Sequence, residues 1–151
     1  MFDSISHASI YVTDQDAALD FYVGKLGLEV RADVEMAPMR WLTLGVPGQD
    51  DFQVLLETPI EAFIGAESAG QVEGLLSKGA LGLGFILNTG DCRQTFTELV
   101  DKGVEVIEEP TDRFYGVDCA IRDPFGNHIR ITEPKDPEDW GEPSWESSGG
   151  G

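Results

Sequence analysis

SHASIYVTDQDAALDFYVGKLGLEV, residues 6–30, reads as a strand, a capped helix, a glycine stop and a second strand. Residues 5–12 alternate in polarity and are rich in Ile, Val and Tyr, the composition of a half-buried strand. Thr13 or Asp14 can cap the next segment, in which Ala17, Ala18, Phe21 and Tyr22 recur at helical spacing. Gly24 and Gly27 end that helix, and Leu28-Glu29-Val30 resumes an extended chain. The order then returns 77 residues later, with Asp91 in the place of Asp14. A second amphipathic segment closes at Gly103 and resumes as Val104-Glu105-Val106.

Working outward, strands are predicted over residues 28–34, 40–44 and 52–57, with Pro47-Gly48 turning between the last two. The first copy closes on FQVLLETP at Pro59, and the second closes on HIRITEP at Pro134. Within the second copy, strands are expected over residues 82–88, 104–107, 116–122 and 127–132. A helix over 92–102 carries Phe96, Leu99 and Val100 on one face. A period of this length is not that of a solenoid, whose repeats fall at roughly 20–50 residues. The pattern is an α+β fold of two βαβββ modules in one domain, residues 1–134. Module one is 1–59, module two is 81–134, and residues 60–80 link them. In the linker Glu61 to Ile64 suits a short helix, while Gly65, Gly70, Gly74 and Gly79 suggest a mobile connection. Residues 135–151, KDPEDWGEPSWESSGGG, read as a disordered acidic tail.

Bulk properties remove several function classes. With 151 residues the chain can bury a proper core. A formal net charge of -18 argues against nucleic acid or an anionic membrane as partner, because phosphate binding needs basic surface. MFDSISH has no basic leader and no long apolar run follows, so a cytoplasmic location is expected. Cys92 and Cys119 lack CxxC spacing and read as buried free thiols. There is no GxSxG, HExxH or P-loop, and LGLGFILNTG lies within a strand and cannot cradle phosphate.

Residues 6–30 together with DPFGNHIRITEP, residues 123–134, resemble the vicinal oxygen chelate superfamily of glyoxalase, bleomycin-resistance and dioxygenase type. The resemblance implies an incomplete eight-stranded barrel around a shared cup, and commonly a homodimer. In metal-using members, the first and last strands of each module each give one ligand to a divalent ion. That ion needs imidazole or carboxylate donors and open positions for substrate oxygens. Carried onto this chain, the four positions are His7, Gln53, Gly84 and Arg130, where Gly84 is His7 displaced by the 77-residue repeat. A glycine cannot ligate through a side chain, and Arg130 puts a permanent positive charge where the ion would sit. No cofactor is therefore expected. A rearranged divalent-metal site using His7 and Glu57 is the alternative. Glu57 shares a strand face with Gln53, whereas Glu133 opposes Arg130.

Without a metal, the candidate ligand-binding residues are His7, Gln53, Arg130, His128, Tyr115, Arg113 and Trp41. Arg130 suits a planar anion or a salt bridge equally. His7 can serve as a general base or as a hydrogen-bonded strand residue, and His128 shares a strand face with Arg130. Arg113-Phe114-Tyr115-Gly116 can form a lid or pack at a strand entrance. Met36, Met39 and Trp41 offer an adaptable apolar wall. Two functions follow from the resemblance. One is a metal-independent protein that sequesters an aromatic or anionic small molecule. The other is a glyoxalase-like or dioxygenase-like enzyme centred on His7. A cup retained only for assembly is a third.

Overall fold

The structure, a computed structural model, describes residues 1–144. The chain divides into two compact units. Unit 1 is Met1–Leu81 with Pro124–Asn127, and unit 2 is Gly82–Asp123 with the residues from His128 onward. Each holds one βαβββ module as a four-stranded mixed sheet. The sheet of unit 1 has the order β1-β4-β3-β2, from His7–Tyr11 (β1), Glu29–Met36 (β2), Met39–Gly45 (β3) and Gln53–Glu57 (β4). The sheet of unit 2 repeats that order as β5-β8-β7-β6. Its strands are Leu83–Asn88 (β5), Glu105–Arg113 (β6), Gly116–Arg122 (β7) and His128–Pro134 (β8). In both sheets the first and last strands of the module run parallel and the other pairs are antiparallel.

One face of each sheet is covered by its own helix. In unit 1, α1 (Gln15–Tyr22) buries Ala18, Phe21 and Tyr22, while Ile10, Leu42, Leu44 and Leu56 are buried from the strands. Asp14 caps α1 by accepting from the Ala17 N–H at 3.0 Å. Gln15 fixes the helix to the sheet, its Nε2 donating to the carbonyls of Arg40 at 3.0 Å and Leu56 at 2.8 Å. In unit 2, α4 (Cys92–Asp101) is capped in the same way, Asp91 accepting from the Gln94 N–H at 3.0 Å. It buries Cys92 and Leu99, with Cys119, Ile121, Ile129 and Ile131 buried in the strands.

Three boundaries differ from the sequence reading. The expected mobile linker is α2 (Glu61–Ile64) followed by a twelve-residue helix, α3 (Ala66–Ser77). Ala69 and Leu76, seven residues apart and so on one helical face, are both buried. Gly70 and Gly74 have open space around them, so burial outweighs the roughly 1 kcal/mol that each glycine costs a helix. β6 runs on to Arg113 through Pro110, because it is an edge strand and a missing N–H can face away from the ladder. Beyond β8, where the sequence predicts disorder from residue 135, the described chain has a short 3-10 turn over Pro137–Asp139, and the Trp140 Nε1 donates to the Lys135 carbonyl at 3.1 Å. The part of that expectation covering residues 145–151 lies outside the described residues.

The turn 124–127 departs furthest from the module boundaries. It belongs to unit 1 although it joins β7 to β8. Asn127 donates its Nδ2 to the Tyr11 carbonyl at 2.8 Å. Gly126, at φ 120°, brings its backbone so close to α3 that a Cβ would lie 1.8 Å from the Leu76 carbonyl oxygen. Only glycine meets both demands. Gly126→Ala should therefore destabilise the protein by about 2–3 kcal/mol, which thermal denaturation reads as a Tm loss of roughly 4–10 °C. An unchanged Tm would mean that this close approach is not maintained.

Candidate functional site

The face of each sheet that its helix leaves uncovered carries nearly all the candidate residues. In unit 1, His7 on β1 lies directly across from Gln53 on β4. The His7 ring sits 5.9 Å from that of Trp41, tilted by 58°. Gln53 Oε1 accepts from the Thr43 hydroxyl at 2.7 Å, on the same face as Trp41 two residues earlier. Met39 continues that row and pairs with Met36, and Val34 pairs with Trp41. Val34 and Met36 are 48% and 46% exposed. Met36, Met39 and Trp41 thus lie near one another on this sheet, with the His7 ring beside Trp41 and Gln53 across from His7. The Ser6 hydroxyl lies 2.7 Å from His7 Nδ1, and the other ring nitrogen has no protein partner among the described residues.

Unit 2 carries a different chemistry on the corresponding face. Ile86, Arg130, Ala120 and Glu108 form one row across its four strands. Arg130 donates through Nε to Asp118 Oδ2 at 3.0 Å and through Nη2 to Asp118 Oδ1. Nη2 also reaches Glu108 Oε2 at 3.3 Å, and Nη1 lies 3.3 Å from His128 Nε2. Glu108 takes Arg113 on its other oxygen. Asp118, whose side chain is 2% exposed, further accepts from the Tyr115 hydroxyl at 2.9 Å and from Thr132 at 3.5 Å. Two guanidiniums and two carboxylates thus close on each other with no net charge.

The protonation states follow from this packing. Hydrogen bonding to Asp118 outweighs burial and holds the Arg130 guanidinium charged at any accessible pH. Burial, then the charges of Arg130 and Arg122, push the His128 imidazole below its usual value, so the neutral ring can accept from Arg130. Burial first, and then its bond to Asp118, raise the Tyr115 hydroxyl and keep it a donor. Phe114 stands edge-on to Tyr115 at 5.1 Å and to Trp140 at 5.4 Å. The Lys135 N–H donates to the Tyr115 carbonyl at 2.8 Å, so the returning chain braces the hairpin tip between β6 and β7.

These positions do not fit a metal. Glu57 lies across from Tyr11, not His7. The four residues from Gln53 to Glu57 carry it about 13 Å along the strand, whereas two ligands of one ion each lie about 2 Å from it. The structure therefore does not bring His7 and Glu57 together. Glu133 lies on the helix-covered face and accepts from the Cys92 N–H at 3.0 Å. Among the described residues no three His, Cys, Asp or Glu side chains group as a metal site would require. The strand register places Ile86, not Gly84, opposite Arg130, so Ile86 corresponds to His7 in its own sheet, and the register shift between Leu83 and Phe85 contributes one of those two residues. The side chain is again a non-ligand.

Asp118, Glu108 and Ile86 were missed in the sequence. The signal for Asp118 was present. A lone carboxylate inside the apolar strand GVDCAIR must be paired if it is buried, and Arg130 is a cation of matching alternation.

Residues 4–131 match the model of the Glyoxalase/Bleomycin resistance protein/Dioxygenase superfamily, and the chain belongs to that family. It is 34% identical over 127 residues to the uncharacterised protein YurT of Bacillus subtilis, covering 83% of this chain and 94% of YurT. The crystal structure of UcmS2 superposes with a TM-score of 0.82 at 32% identity, covering 88% of this chain and 99% of that one. TnmS3, an antibiotic binding protein from Streptomyces sp. CB03234, gives 0.70 at 27% identity, covering 89% and 98%. No helix among the described residues is long and apolar enough to cross a membrane.

Removing one partner of the Asp118–Arg130 pair strands the other in a largely dry setting. Asp118→Asn should cost about 3–5 kcal/mol of folding stability by denaturant titration. A loss below about 1 kcal/mol would mean that the pair is solvated and does not organise this face.

Proposed function

We propose that the chain is a metal-independent binding protein that sequesters an uncharged aromatic small molecule. The observation that carries this reading is the mutual neutralisation of Arg130, Arg113, Asp118 and Glu108. An anionic ligand would have to displace Glu108 or Asp118 from a guanidinium, whereas a neutral polar group needs only the remaining hydrogen-bonding capacity. The wall of Trp41, Met36, Met39 and Val34 supports an aromatic ligand, because indole and thioether groups pack adaptably on planar rings. His7 and Gln53 are the polar contacts at that wall. His128 and Tyr115 are those of the other face. The likeness to TnmS3, an antibiotic binding protein, supports sequestration.

The protein is proposed to act in the cytoplasm as a homodimer. Support for the second copy comes from β5, an edge strand carrying Leu83 and Ile86 at 48% and 54% exposure. An unpaired apolar edge favours partnership with another chain. A second reading, catalysis at His7, is favoured by the Ser6 contact. Holding Nδ1 fixes the ring and leaves Nε2 to take a proton.

Titration of tryptophan fluorescence with matched uncharged and carboxylated aromatic compounds tests the reading. The uncharged compounds should bind and be recovered unchanged, and Trp41→Ala should weaken them about tenfold or more. Raising salt from about 0.05 to 0.5 M should alter affinity less than about twofold. Preference for the carboxylates with steep salt dependence would overturn the neutral-ligand assignment. Product formation abolished by His7→Ala would establish the enzyme.

A further inference from the structure

Two thiols that serve neither open face lie against each other inside unit 2. Cys92 is the first residue of α4 and Cys119 lies in the middle of β7, and both are fully buried. Their sulfurs are 3.6 Å apart although 27 residues separate them in sequence. Cys92 Sγ also lies 3.5 Å from the Ile131 carbonyl, and the Cys92 N–H donates to Glu133 Oε1 at 3.0 Å. Cys92 is thus held against β8 through both its backbone N–H and its sulfur. A disulfide places its sulfurs about 2.05 Å apart. The remaining approach of about 1.5 Å is within reach of side-chain rotation and a small shift of one helical turn.

We propose that Cys92 and Cys119 form an oxidation site at which hydrogen peroxide produces an internal disulfide, stapling the start of α4 to the centre of β7. In the first step the Cys92 thiolate attacks one peroxide oxygen and the O–O bond breaks. This yields Cys92 sulfenic acid and a hydroxide that leaves as water with the proton the thiol gave up. Cys119 then attacks Cys92 Sγ and the S–O bond breaks. The second oxygen leaves as water, carrying the Cys119 proton. In total the two thiols lose two hydrogens with their electrons, and the peroxide is reduced to two waters.

Cys92 is the first nucleophile because it sits at a helix terminus that can open locally, while Cys119 is enclosed within the sheet. Burial raises both thiols, and Cys119 the further of the two. Closure therefore depends on transient opening of the first turn of α4 and answers sustained oxidant exposure. Asp118 and Ala120 flank Cys119 and point to the opposite face by strand alternation. The staple would thus brace the strand that anchors Arg130.

The test exposes the folded full chain to hydrogen peroxide and maps its cysteines after alkylation in denaturant. Both thiols should disappear together into one peptide pair joining Cys92 to Cys119, and dithiothreitol should restore them. Amide exchange in the first turn of α4 should slow about tenfold or more in the oxidised form. In Cys119→Ser, dimedone should trap Cys92 sulfenic acid that the native chain does not accumulate. If that variant fails to fold, the map of the native chain decides. The proposal fails if both thiols of the folded chain stay titratable. It fails equally if Cys92 advances to sulfinic acid unlinked, or if the disulfides formed join separate chains.

Discussion

Asp118 is a carboxylate almost completely removed from water in the middle of an apolar strand, and the arrangement of the second unit follows from satisfying it. A buried charge left unpaired costs several kcal/mol, so every polar side chain within reach is recruited. Arg130 answers from the neighbouring strand with two donors, Tyr115 reaches in from the hairpin tip, and Thr132 adds a weaker bond. Arg130 in turn needs more negative charge than one carboxylate supplies. Glu108 from the edge strand completes the balance and takes Arg113 with its free oxygen. The outcome is a rigid face of charged residues with no charge left over.

The first unit begins from the same βαβββ plan and reaches a different surface. Its position equivalent to Arg130 is Gln53, which is uncharged and needs only the Thr43 hydroxyl. No counter-charge has to be gathered around it, so the rest of the face is free to be apolar. Trp41, Met39, Met36 and Val34 occupy it, with His7 at the margin. The repeats thus differ at more than one position, Gln53 against Arg130 and, by register, Thr43 against Asp118, and a face built from rings and thioethers stands where the other is built from ion pairs.

Much of this was legible in the sequence. The two capping aspartates, the helical spacing of Phe21 and Tyr22, and the closing strands before Pro59 and Pro134 all lie where the structure has them. Those signals are local and need only backbone chemistry and side-chain period. Signals set by tertiary contact were not legible. The helix Ala66–Ser77 is held by burial of Ala69 and Leu76, which outweighs its glycines, and no local pattern reports what buries them. The partner of Arg130 lies two residues beyond the position that the repeat offset gives, and the irregularity between Leu83 and Phe85 supplies one of the two, a step that has no signal in the residue count. Arg130 was open to two readings in sequence, a ligand anchor or a salt bridge. Only the register that sets it beside Asp118 and Glu108 supports the second.

We propose that ligand binding proceeds without an ion, because of the four positions carried over from the family only His7 offers a good metal-ligating side chain, while Arg130 is held by Asp118 and Glu108 and Gln53 by Thr43. The direct measurement is the affinity of one bound aromatic compound for metal-stripped protein, repeated with zinc, manganese or nickel supplied in excess. The dissociation constants should agree within about twofold under all conditions. A tightening of about tenfold or more with any one ion, lost in His7→Ala, would contradict binding without an ion.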